Sequence, residues 1–178
     1  MTIGPAGFAA HARVRFIPDP THPGQREHEV ELDALPDETE QWRALLHLLA
    51  SDTAHPDDYY FGLWDGWGFP EPARRWPTFA VPPDPQIPAR SYFLFHGSLS
   101  KAEIWGSPAQ AGIWGPEFSR GGTPAFVWPS DHAWCVAADV DPHWAGIGAS
   151  VPTIERLIAD RRIDAVEADP TEDQPAYR

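Results

Sequence analysis

The sequence predicts an α+β fold: a mostly antiparallel sheet with an amphipathic helix at about 37–50 and a short C-terminal helix at about 151–162. Three observations carry that expectation. Residues 11–17, "HARVRFI", alternate with the period of a strand, and Trp42, Leu45, Leu46 and Leu49 recur at helical spacing. Between these and the C-terminal helix, several segments read as strands in succession, without the β-α alternation of parallel sheets, so the helices belong on one face of the sheet.

In the first strand Ala12, Val14 and Phe16 share one face and His11, Arg13 and Arg15 the other, the pattern of a half-buried strand with its polar side toward solvent. A turn-rich, charged stretch follows, with a second short strand expected at Glu29–Leu32. Asp37, with Glu40 three residues later, caps a helix running to about Ala50, and the 42/45/46/49 stripe is its buried side.

"YYFGLWDGWG", residues 59–68, reads as a strand whose Tyr59, Phe61 and Leu63 face one way, ending in a two-residue turn at Asp65-Gly66. A type I′ turn there opposes Trp64 to Trp67 and places Trp64 in the core. Residues 69–90 hold seven prolines, which remove backbone donors and fix φ, so they read as a long surface loop. "SYFLFHG" at 91–97 is apolar on both sides, as an interior strand is. Residues 125–128 and 133–140 form a hairpin about the turn at Pro129–Asp131. Ser150 caps the last helix, Arg161 and Arg162 complement its carbonyl end, "IDAVEA" adds an edge strand, and Asp169–Arg178 is a frayed acidic tail.

At 178 residues, with 42% hydrophobic and 22% charged residues, the chain has the make-up of one globular domain, residues 1–178. No secretory leader or membrane-spanning run is visible, and Cys135 is the only cysteine, so the expectation is a cytoplasmic protein without disulfides or multi-cysteine metal sites. Thirteen Lys+Arg against 26 Asp+Glu give a net charge of −13, which repels nucleic acid and anionic membranes and favours a basic protein partner.

The segments "GFAAHARV", "PDDYYFGLWDGWG", "SYFLFHGSL", "VWPSDHAWCVAADVD" and "ERLIAD" together resemble an uncharacterised family of actinobacterial cytoplasmic proteins. The resemblance covers most of the chain and implies no activity and no catalytic residues. The amphipathic helix followed by an aromatic, glycine-rich strand is similar in topology to the SUKH-type immunity proteins, although "WDGWG" stands where their "NGG"-type motif would be.

Candidate chemistry concentrates in two places. Asp131, His132, Cys135, Asp139, Asp141 and His143 carry the common ligand and acid/base groups within thirteen residues. Their spacing matches no metal signature, and Cys135 sits mid-strand, away from any feature that would lower its pKa. The segment therefore supports a small hydrolase only as a rival reading. Neither a cofactor nor a metal is expected, and no residue is assigned a catalytic role. Trp67, Trp76, Trp105 and Trp114 lie among glycines and prolines, where large rings either pin loops to the sheet or line a binding surface. The reading that follows is binding without catalysis, in the manner of an immunity or antitoxin protein, with a tryptophan-based carbohydrate module as the other alternative.

Overall fold

The computed structural model describes residues 7–31, 37–67, 76–81, 89–99, 123–138 and 143–178, with Trp67 described by its backbone. The elements run β1 (Ala10–Arg15), α1 (Glu38–Leu49), β2 (Tyr59–Trp64), β3 (Thr78–Val81), β4 (Arg90–Gly97), β5 (Phe126–Pro129), β6 (Cys135–Ala137), β7 (Trp144–Ala149), α2 (Val151–Ala159) and β8 (Ala165–Glu167). The fold is α+β. The eight strands among the described residues join one antiparallel sheet in the order β3-β4-β2-β5-β6-β7-β1-β8. Among the described residues no helix is long and apolar enough to cross a membrane.

Strand periodicity gives the sheet two unlike faces. Helices α1 and α2 cover the inner face. Trp42, Leu45, Leu46 and Leu49 of α1 and Ile154 and Leu157 of α2 pack there against Ala12, Val14, Tyr59, Phe61, Leu63, Val127, Val136 and Ile147 in one buried cluster. Asp37 caps α1 by accepting from the amides of Thr39 (2.8 Å) and Glu40 (3.2 Å), which fixes where the chain turns into the helix. Ser150 caps α2 through the Thr153 amide at 3.3 Å. Arg156 ties the helices together through Asp52 and the Leu48 carbonyl.

Several expectations need correction. The turn at Asp65-Gly66 is absent: residues Asp65–Trp67 form a 3-10 turn, and Gly66 does not take positive φ. Strand β2 pairs with β4, Trp64 standing opposite Tyr92, and over Tyr59–Gly62 also with β5. Gly66 serves close approach instead, since a Cβ there would stand 2.1 Å from the Trp64 ring. Trp64 itself is half-buried on the outer face, not a core residue. The strand expected at Glu29–Leu32 is a 3-10 turn at Glu27–Glu29, with Leu32 outside the described residues. The proline-rich stretch 69–90 contains β3, which is possible because an edge strand needs donors on one side only.

Three further corrections concern the other end of the sheet. "WAGIGA", residues 144–149, is a fully buried central strand with no alternation to announce it. Helix α2 stops at Ala159, because the Asp160 carboxylate bonds the Arg162 amide (2.9 Å) and guanidinium (2.8 Å) and turns the chain away. The C-terminal residues are not frayed. Trp144 Nε1 donates to the Pro175 carbonyl at 3.1 Å, Tyr177 Oη to that of Pro18, and the Arg178 amide to that of Gln25 at 3.0 Å.

Phe8, Asp19 and Trp144 account for the burial of His11 and Arg13 on the polar side of β1. His11 and Arg13 are only 7% and 5% exposed. Arg13 forks onto Asp19 (2.7 and 3.1 Å) and lies over the Trp144 ring at 5.7 Å, while Arg15 joins Asp19 (3.2 Å) to Asp164 (2.7 Å). Burial raises the Asp19 pKa, but the Arg13, His143 and Arg15 bonds outweigh it and hold it at about 2.

Candidate functional site

The outer face divides in two. Over β7 and β1 the chain covers itself: Phe8 lies on Gly148, where a Cβ would stand 2.3 Å from the ring, and the C-terminal strap covers Trp144 and His143. Over β3, β4, β2 and β5 the outer positions are aromatic and mostly half-exposed: Phe79, Tyr92, His96, Tyr60, Phe126 and Trp128.

Register builds this surface. Tyr60 pairs with His96 across β2–β4 and with Trp128 across β2–β5, so three rings stand in one row over three strands. Tyr60 stacks on Trp128 (5.6 Å between centroids, 15° between planes) and lies 4.9 Å from His96. Behind this row Phe79 leaves the edge strand and reaches across β4. It stacks on Tyr92 at 5.4 Å and meets Phe126 and Trp128 edge to face, each at 5.9 Å. Gly62 makes the reach possible by offering no Cβ beneath the ring.

The row ends at a polar corner. His96 Nε2 meets the Asp58 carboxylate, and both side chains are largely in solvent, His96 at 58%. The His96 bond and then the Ser130 hydroxyl pull the Asp58 pKa below the usual carboxylate range. Serine, histidine and aspartate thus meet here, but the aspartate receives both partners. A nucleophilic triad instead needs the imidazole between carboxylate and hydroxyl. The geometry suits binding of a donor group at a carboxylate beside aromatic rings.

The 131–143 segment has a different character. Asp131 accepts from Thr53 Oγ1 (2.9 Å), the Ala54 amide (2.7 Å) and the Ala133 amide (3.1 Å), locking the β5–β6 turn to the chain leaving α1. Burial would raise its pKa, and these three bonds lower it. His132 occupies the turn at φ 56°. Cys135 is 4% exposed opposite Gly148, and burial pushes its thiol up to about 12, which opposes thiolate formation. His143 is buried against Asp19 (3.3 Å) and Tyr177, and burial, opposed by the Asp19 bond, lowers its pKa. Asp139 and Asp141 lie outside the described residues. Among the described residues no three His, Cys, Asp or Glu side chains are grouped to hold a metal ion.

Of the four tryptophans singled out in the sequence, Trp76 packs edge-on against Phe93 (5.3 Å) and Phe95 (5.4 Å), pinning the approach to β3 onto the inner face. Trp67 is described only by its backbone, and Trp105 and Trp114 lie outside the described residues. The members of the aromatic row come from three strands, in segments 36 and 32 residues apart. Only the β4–β2–β5 order unites them. Fold and site together define an α+β protein with one helix-covered sheet face and one aromatic face. Compared with protein-family models, curated proteins and solved structures, the chain matches none of them.

Proposed function

We propose that this protein acts by binding, taking a basic protein partner on the outer face of β3, β4, β2 and β5, as an immunity or antitoxin protein takes a toxin. The observation that carries the reading is the half-exposed row His96–Tyr60–Trp128 in a chain of net charge −13. Aromatic rings at the centre of a patch supply contact area, and long-range charge steers a basic partner toward it. The net charge of −13 favours a basic protein over a neutral carbohydrate. The hydrolase reading has weaker support, because Asp131, Cys135 and His143 are each committed to turn, core or strap.

The test is affinity capture from host lysate at low salt, by the wild-type chain and by Tyr60→Glu. The reading expects basic proteins that are retained by the wild type and lost with the variant. Capture unchanged by Tyr60→Glu removes this face from the account.

A further inference from the structure

Among the described residues Trp64, Trp128 and Trp144 occupy outer-face positions of the sheet, on β2, β5 and β7. Two of them carry a guanidinium supplied by the chain: Arg90 lies 5.5 Å from the Trp64 ring and Arg13 lies 5.7 Å from that of Trp144. At Trp144 the arrangement is complete, because the same guanidinium is also forked onto a carboxylate, Asp19. At Trp144 a planar cation thus lies on a ring with a carboxylate at its edge.

Trp128 is the third case, and among the described residues no arginine lies over it. It does have the carboxylate. In the β2–β5 ladder Tyr59 pairs with Pro129, which places Asp58 opposite Ser130 and makes Asp58 the diagonal neighbour of Trp128. Diagonal neighbours lie about 7–8 Å apart, a gap that one guanidinium bridges. Asp58 is 43% exposed, and a carboxylate that receives His96 and Ser130 still has acceptor positions to spare. Lysine fits the corner less well, being a strongly hydrated point charge without the planar fork.

We propose that Asp58, Tyr60 and Trp128 form a receptor for an arginine side chain of the partner, completing on this part of the sheet the ring–guanidinium–carboxylate arrangement that Trp144, Arg13 and Asp19 make internally. The proposal rests on the binding reading above and names the group that the basic partner inserts.

Calorimetric titration of the full chain with hexa-arginine and hexa-lysine peptides tests it, using the wild type, Asp58→Asn and Trp128→Phe, with near-ultraviolet circular dichroism to verify folding. The expected result is tighter binding of hexa-arginine than hexa-lysine, weakened about fivefold by Asp58→Asn and severalfold by Trp128→Phe. Equal affinity for the two peptides, unaltered by either variant, would mean attraction by bulk charge and overturn the proposal, as would no binding of hexa-arginine. If either occurs while capture stays sensitive to Tyr60→Glu, the arginine receptor is wrong and the binding face stands. If capture is insensitive too, both fall.

Discussion

The ring of Phe79, on the edge strand, rests on Gly62, two strands away, so closely that a Cβ at residue 62 would stand 2.7 Å from it. This contact gathers the aromatic half of the outer face into one cluster. Gly62→Ala should displace Phe79 and cost about 1–3 kcal/mol, since the ring must leave both Tyr92 and Phe126. A denaturant melt reads the loss. An unchanged midpoint would mean that Phe79 moves aside freely and that the cluster is not a packed unit.

The C-terminal strap should be part of the folded core. Deleting residues 169–178 removes the carbonyl that Trp144 Nε1 uses and uncovers His143. Hydrogen exchange should then accelerate in β1 and β7, with little change in β2 and β4. Tyr177→Phe, which loses only the bond to Pro18, should cost about 1 kcal/mol.

Acid sensitivity should come in two windows. His143 has a folded pKa below its ordinary 6.5, so its contribution is present above that value and declines as pH falls through it toward the lowered folded pKa. Asp19, held at about 2 against an ordinary 3.8, contributes about 2 kcal/mol that is present above its ordinary pKa and lost as pH drops toward 2. Stability measured against pH should therefore step down twice. Asp19→Asn should flatten the lower step and destabilise the protein at pH 7; a pH profile identical to wild type would contradict the role given to the Arg13–Asp19 fork.

Cys135 should be inert while the protein is folded. With its thiol pushed up to about 12 and buried beneath the outer face, a thiol reagent at pH 8 should react only in denaturant. Fast labelling of native protein would revive the nucleophile reading of the 131–143 segment.

Residue patterns exposed much of this fold and little of its site. The α1 stripe, both caps and the interior positions of β2 and β4 followed from local periodicity and side-chain chemistry, because those elements are decided by their own residues. Strand β7 shows no polar alternation because every residue on both its faces is buried. The Asp65-Gly66 turn misled because β2 finds both its partners far along the chain, overriding a local turn preference. His11 and Arg13 read as solvent-facing because the residues that cover them, Phe8 and Asp19, lie outside their strand. The site depends in the same way on the β3-β4-β2-β5 order, which no local pattern encodes.

The most direct measurement is nuclear magnetic resonance mapping of the isotope-labelled chain with a basic partner recovered by capture, titrated at low and moderate salt. The account predicts that the Trp128 indole, the His96 ring and the Tyr60 amide shift first and farthest, while α1, α2 and the Asp131 turn stay still. It also predicts that association slows as salt rises. Shifts centred on α2 or on residues 131–143, with the aromatic row unmoved, would contradict it.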